Sequence, residues 1–249
     1  MASRPSRGYR FCKRVFDLAA SFCGLVMTAP FVFLALLAVW LQDFRSPFYL
    51  ATRTGKHGKP FKMVKIRSMR VDADKAQVWA TKTDDPRITL VGAIIRKCKL
   101  DEIPQLWNVL VGQMSLVGPR PLALSETAVY TEEERQILEI VPGVTDIASL
   151  VLINEEELLA GSDDPTTAYD RLIRPWKSRY ALAYLTHRSF WLDCTLVILT
   201  ALAIVNRSAS RRLLARTLTK LALDESLVEI AAGTRPIMPI APPGTTVVG

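Results

Sequence analysis

Asp101 and Glu102 are adjacent carboxylates at a proline-marked break, with Arg96, Lys97 and Lys99 just before them and a Gly118-Pro119-Arg120-Pro121 turn after. Carboxylates among fixed cations suit a site where a nucleophile or a metal ligand meets a polyanion such as a diphosphate. Adjacent acidic residues also start helices or sit in solvent, and Asp224-Glu225 is a second such pair in a segment that reads as a solvated helix. The surroundings distinguish the first pair. Pro104 suits the first turn of a helix, and a helix N-terminus attracts phosphate. Gly118, Pro119 and Pro121 restrict the backbone around Arg120, so its guanidinium fork is held.

Such a site has to be carried by something, and composition bounds what. The 249 residues are 49% apolar yet 22% charged, with a positive mean hydropathy and a net charge of +8. One membrane-embedded segment on a water-exposed body fits these values, and the charge suits an anionic partner. Cys12, Cys23, Cys98 and Cys194 form no CxxC pair, so neither a disulfide framework nor a zinc site is expected. His57 and His187 have no metal-ligand spacing and read as turn or surface residues. A basic nucleic-acid binder has little support, because the charge accompanies the apolar run and the carboxylates without an aromatic stacking platform.

Leu18 to Leu41 is a run of 24 residues without a formal charge. As a helix it would reach about 36 Å, beyond the ~30 Å hydrocarbon core. A plain spanning helix is one reading. Pro30 in mid-run argues for another, because it removes a hydrogen bond and bends the helix. Both flanks are basic, with Arg4, Arg7, Arg10, Lys13 and Arg14 before and Arg45, Arg53, Lys56 and Lys59 after. The positive-inside rule then favours both ends on one face, so a helix that enters, breaks near Thr28 to Pro30 and returns is expected. Thr28 would cover a carbonyl that Pro30 frees, and Asp17 would pair with Lys13 or Arg14 at the headgroups.

Pro47 to Arg53 and Pro60 to Ile66 flank a Gly-Lys-His-Gly turn and read as a β-hairpin. Helices are expected over Val71 to Ala80, Val91 to Cys98, Leu122 to Ile140 (one or two) and Thr166 to His187, with turns at Asp84 to Arg87 and at Gly161 to Pro165. Phe190 to Val205 is interrupted by Asp193 and reads as a core or interfacial helix rather than a span. Ser208 to Leu223 is amphipathic and basic, suited to anionic lipid or to packing on the body. Four prolines and three glycines from Ala231 onward predict a disordered tail.

In this order the motifs resemble the bacterial sugar transferase family, the monotopic phosphoglycosyl transferases. The matching segments are KRVFD at Lys13 to Asp17, the interrupted apolar run, RTGKHGKPFKMVKIRSM at Arg53 to Met69 and DDPRIT at Asp84 to Thr89. KLDEIPQLWNVLVGQMSLVGPRPL at Lys99 to Leu122, PGVT at Pro142 to Thr145 and SFWLD at Ser189 to Asp193 complete the set. The resemblance implies an α+β, mostly helical protein: a re-entrant membrane helix, a small β-hairpin and interfacial amphipathic helices around a compact cytoplasmic catalytic body. By segment, 1–12 is a basic N-terminal stretch, 13–45 the re-entrant helix, 46–207 the catalytic domain, 208–230 the amphipathic basic helix and 231–249 the tail. With no large membrane domain ahead of the motifs, a minimal catalytic form is expected.

The same resemblance implies transfer of a sugar 1-phosphate from a nucleotide sugar, UDP-linked by expectation, to polyprenyl phosphate at the cytoplasmic face of the bacterial inner membrane, with release of UMP. Asp101 would be the nucleophile and the metal contact, Glu102 a base or a supporting group, and Mg²⁺ the cofactor. Arg96, Arg120, Lys65 and Arg67 would bind phosphate or substrate. Lys13, Arg14, Asp17 and Pro30 would anchor and bend the membrane helix beside anionic lipid; oligomeric state is left open. Ala29 stands where many members have serine, so the helix break would rest on Pro30 and Thr28. Asp146-Ile147-Ala148-Ser149 follows PGVT where many continue Gly-Leu-Ala-Gln, and Leu150 to Ala160 differs as well; these departures bear on sugar or acceptor preference more than on the chemistry. The rival class is a non-catalytic membrane-bound scaffold or lipid-binding protein on the same fold.

Overall fold

In the computed structural model, residues 6–71, 85–159 and 164–246 are described. The helix expected over Val71 to Ala80, and most of the Gly161 to Pro165 loop, lie outside them. The first element is α1 (Arg7–Asp43), which starts where Ser6 Oγ accepts the Tyr9 N–H at 3.1 Å and stops at Phe44 in a left-handed conformation. It begins six residues earlier than expected. It also runs helical through Pro30, which takes away only its own N–H, while the bonds around it persist. Thr28 Oγ1 donates to the Gly24 carbonyl at 2.6 Å, not to Val26, whose usual donor Pro30 lacks. Phe22, Val26, Met27, Phe31, Phe33 and Leu34 project outward. It is the one helix among the described residues long and apolar enough to cross a membrane.

The expected ion pair within α1 does not form, because each charge has a better partner in the body. Lys13 Nζ reaches Asp193 and the Val117 carbonyl, both at 3.0 Å. Arg14 donates to the Val109 and Leu110 carbonyls, and Asp17 accepts from Ser115 Oγ at 2.8 Å and Leu116 N–H at 3.1 Å. At the other end Ala35 and Val39 pack with Ile66 and Ile95, and Asp43 pairs with Arg67. Both ends of α1 thus dock on one body.

That body opens with the expected hairpin, β1 (Phe48–Thr54) antiparallel to β2 (Pro60–Ile66), with His57 in its turn at φ 57° and 3.3 Å from Glu139. Next come α2 (Leu90–Lys97), α3 (Gln105–Leu110) and β3 (Ser115–Val117). The segment Leu122 to Ile140 holds α4 (Leu124–Ala128), α5 (Glu132–Arg135) and a further tight turn. Beyond it, β4 (Gly143–Thr145) lies parallel to β3, and α6 (Ile147–Val151) and α7 (Glu155–Leu159) follow. From α8 (Pro165–Ala168) the chain passes through a π-helical turn into α9 (Arg174–His187).

The helices α9, α10 (Phe190–Val205), α11 (Arg207–Lys220) and α12 (Glu225–Ala232) supply much of the core, around Tyr180, Tyr184, Leu196, Leu214, Leu218 and Ile230. Burying six such side chains stabilises the fold by about 1.5–3 kcal/mol each before entropy is charged. Two expectations are resolved here. The apolar face of α11 is buried by the body, with Leu214 and Leu218 inside, leaving Arg212, Arg216 and Lys220 outward. Residues 233–246 are not a loose tail but a strap. Its Ile237 and Ile240 pack on the core, while Trp176, Arg179 and Thr131 donate to the Met238, Ala241 and Pro243 carbonyls. Composition counted the prolines there and overlooked the isoleucines between them.

Candidate functional site

Asp101 lies in a tight turn (Leu100–Glu102) that joins α2 to α3, entered through Lys99 at φ 56°. That left-handed conformation is costly for a lysine and persists only where surroundings enforce it. They do so from both sides. Thr89 caps α2 through the Gly92 N–H at 2.9 Å, and a Cβ on Gly92 would stand 1.9 Å from the Ser68 carbonyl oxygen, so α2 lies flush against the strand exit. On the other side Asn108 of α3 accepts the Val64 N–H at 2.9 Å and donates to the Lys62 carbonyl at 2.8 Å. This clamp ties β2 to α3 and brings Lys65 over the turn.

Asp101 is buried, and its Oδ1 has no hydrogen-bond partner. Burial pushes its pKa above the ordinary carboxylate value; Lys65 pulls it back, Glu102 opposes that, and Arg96 and Lys99 pull again. Glu102 is the reverse case. Burial alone would raise it, but Arg120 and Lys65 overrule burial and hold it well below the usual range. Lys65 Nζ sits 3.2 Å from Glu102 Oε1, and the Arg120 fork grips both Glu102 oxygens. The two cations shift in opposite directions. Arg120 is raised, chiefly by Glu102, while Lys65 is lowered because its burial and the nearby Arg120 outweigh the attraction of Glu102.

Arg120 is held from behind. Gly118 N–H donates to the Thr145 carbonyl at 3.0 Å, and Gly143 N–H to the Pro119 carbonyl at 2.9 Å. A Cβ on Gly143 would fall 2.1 Å from the Gly118 nitrogen, so only glycine lets the Arg120 turn lie against β4. The Arg120 N–H also donates to Asp146 Oδ2 at 3.2 Å, while Asp146 Oδ1 caps α6 through Ser149 N–H at 2.6 Å.

The structure therefore brings together Asp101, Glu102, Lys65 and Arg120, with Arg96 near enough to act on the charge of Asp101. Arg67 does not join them: its fork makes a bidentate pair with Asp43 at 2.5 and 2.6 Å, at the far end of α1. Lys13, Arg14 and Asp17 hold α1 to the body, as described above. Sequence reasoning gave Asn108 no role, and it noted Asp146 only as a departure from the family pattern. Asp146 had a legible signal, an Asp three residues before a Ser at a helix start; Asn108 had none, because its partners lie across the hairpin.

Among the described residues no three His, Cys, Asp or Glu side chains cluster to cage a metal. One unpartnered buried carboxylate oxygen beside a saturated Glu102 instead suits a cation that brings phosphate oxygens as its other ligands. A buried carboxylate among Lys65, Arg96 and Lys99, beside a Glu102 gripped by Arg120, has the make-up of a phosphoryl-transfer site.

Comparison with known proteins agrees with that chemistry. Residues 8–207 match the profile of a family described as bacterial sugar transferase. The chain is 42% identical over 144 residues to a Bacillus subtilis (strain 168) protein provisionally named an undecaprenyl-phosphate N-acetylgalactosaminyl 1-phosphate transferase, covering 57% of this chain and 76% of that one. It is 37% identical over 161 residues to the exopolysaccharide production protein ExoY of Rhizobium meliloti (strain 1021), covering 59% and 70%. It is also 34% identical over 209 residues to the UDP-glucose:undecaprenyl-phosphate glucose-1-phosphate transferase of Escherichia coli (strain K12), covering 80% of this chain and 42% of the relative.

Proposed function

The chain belongs to the bacterial sugar transferase family, and on that premise we propose that it transfers a sugar 1-phosphate from a UDP-sugar to a polyprenyl phosphate. The observation that carries the reading is the buried carboxylate of Asp101, with one oxygen unpartnered, beside a Glu102 locked between Arg120 and Lys65. In the first step an Asp101 oxygen bonds to the sugar-linked phosphorus. The bond from that phosphorus to the bridging oxygen breaks, and its electron pair leaves with UMP. In the second, a phosphate oxygen of the polyprenyl phosphate bonds to the same phosphorus and the Asp101 carboxylate leaves, giving polyprenyl diphosphate sugar. Both nucleophiles are anions, so neither step needs a proton removed.

Glu102 then serves as a support rather than a base. A carboxylate held well below its usual pKa is a poor proton acceptor, and its work is to fix Arg120 and Lys65 where phosphate oxygens gain charge. Mg²⁺, held by the Asp101 carboxylate and the donor's own diphosphate oxygens, would neutralise part of the donor's charge.

The membrane arrangement belongs to the same reading. Both ends of α1 dock on one body while its middle projects apolar side chains, which supports a helix that enters and leaves by the same face. Leu90 and Ile94 of α2 and Trp191 and Ile198 of α10 are exposed beside it and suit the interfacial layer. The body is then assigned to the cytoplasmic face of the bacterial inner membrane, where basic flanks meet anionic lipid. The deciding test is UMP release and phosphosugar labelling with a panel of UDP-sugars, Mg²⁺ and undecaprenyl phosphate. Asp101→Asn is expected to lose both by at least about 10³-fold. Full turnover in that variant removes Asp101 as the nucleophile, and no turnover by the unaltered protein favours a scaffold.

A further inference from the structure

Asp193 is fully buried near the start of α10, in a charged cluster that the chemistry above does not use. Its Oδ2 accepts from Tyr9 Oη at 2.9 Å and Lys13 Nζ at 3.0 Å, and its Oδ1 from Tyr184 Oη at 2.6 Å. Such an ion pair is weak evidence for stability, because apolar side chains of similar volume fill such a place as well or better. What apolar side chains cannot do is bring a cation to a chosen carbonyl. That carbonyl is Val117, which lies 3.0 Å from Lys13 Nζ, 3.1 Å from Ser115 Oγ and 3.3 Å from Tyr184 Oη. Each hydroxyl has one proton. The shorter bond of Ser115 goes to Asp17 at 2.8 Å and that of Tyr184 to Asp193, which leaves Lys13 as the principal donor to Val117.

Val117 ends β3 and opens the Gly118-Pro119-Arg120 turn. β4 holds that turn along its length, through the Gly118 N–H on the Thr145 carbonyl and the Gly143 N–H on the Pro119 carbonyl. Lys13 and Asp193 hold its start. A phosphate-binding group works only within about 0.5 Å of its productive place. Resting on the reading in which Arg120 meets phosphate oxygens as Asp101 attacks, we propose that Lys13 and Asp193 are positioning residues for Arg120. The pair fixes the Val117 carbonyl and thereby the turn that aims the guanidinium. The seat of the apolar helix and the aim of the phosphate-binding fork then share one peptide group. No proton moves within the pair, and the bonds made and broken at phosphorus are unchanged.

The test reads the rate of phosphosugar adduct formation and the donor KM, per folded protein, in the full chain with Mg²⁺ and the UDP-sugar that labels it. Lys13→Met combined with Asp193→Leu removes both charges and leaves neither buried alone, so the fold is expected to keep its denaturant midpoint. The rate at saturating donor is expected to fall about tenfold, with donor KM changed less than twofold, because the fork is present but misaimed. In an Arg120→Met background the same two substitutions are expected to cost less than twofold further, since nothing is left to aim. A tenfold loss in both backgrounds shows that the pair acts otherwise than through Arg120. An unaltered rate shows that it only ties α1 down, and either result overturns the proposal. Should the double variant fail to fold, Lys13→Arg carries the test: it keeps the ion pair but changes the contact at Val117, and an unaltered rate there is equally fatal. If the unaltered protein forms no adduct with any UDP-sugar, the chemistry at Asp101 falls and the positioning role with it; a silent pair in an active protein removes the positioning role alone.

Discussion

In the reaction proposed above, Lys65 is the residue on which the reactivity of Asp101 turns. A buried carboxyl must be ionised to attack phosphorus, yet burial raises its pKa; Lys65 is the largest of the influences that pull it down again. Adduct formation therefore declines as pH falls through that raised value, above the range of an ordinary aspartate. Removing the cation in Lys65→Met raises the Asp101 pKa further, so the acid limb of the pH–rate profile for adduct formation moves to higher pH. A limb that stays in place, or moves to lower pH, shows that Lys65 does not act on Asp101. The residue scale also shows what spelling alone conceals. Asp224-Glu225 repeats Asp101-Glu102 letter for letter, but Asp224 merely caps α12 through the Ser226 N–H at 2.9 Å. Neighbours in sequence already set the two pairs apart. The partners of Arg67 were not legible, since Asp43 lies 24 residues away on another element.

Elements were legible where a periodic pattern ran long enough. The hairpin, α2, α9, α10 and α11 came through the alternations of their apolar residues, whereas β3 and β4 did not, because three residues carry no period. Yet that small parallel pair fixes Arg120, through the contact of Gly118 with Gly143. Gly143→Ala is expected to destabilise the fold by about 3 kcal/mol, as overpacked backbone contacts do, and to lower adduct formation by displacing the turn that carries Arg120. Denaturant unfolding in detergent and phosphosugar labelling check the two effects together. An alanine variant of normal stability and rate would show that the close approach is dispensable. Amphipathicity told that α11 has a sticky face; only the fold told that protein, not lipid, covers it.

For the whole molecule the decisive question is how α1 meets the bilayer. Arg7→Cys and Lys59→Cys, each placed in a cysteine-free background, are expected to react with a membrane-impermeant maleimide from the same side, since α1 is tied to one body at both ends. Reaction from opposite sides would replace re-entry with spanning. Composition foresaw an apolar run with basic flanks, but it could not foresee that Lys13, Arg14 and Asp17 would reach into the body.

Those reaches have a consequence in time. The partners of Arg14 lie 95 and 96 residues further on, those of Asp17 98 and 99, and those of Lys13 104 and 180. At roughly 5–20 residues per second, Lys13 waits about 9–36 s on a growing chain before Asp193 exists to receive it. The ribosome therefore delivers the anchor long before the things it anchors. On the membrane reading proposed above, α1 is free to meet lipid through that interval, and its partners leave the ribosome in the order α3, β3, α10.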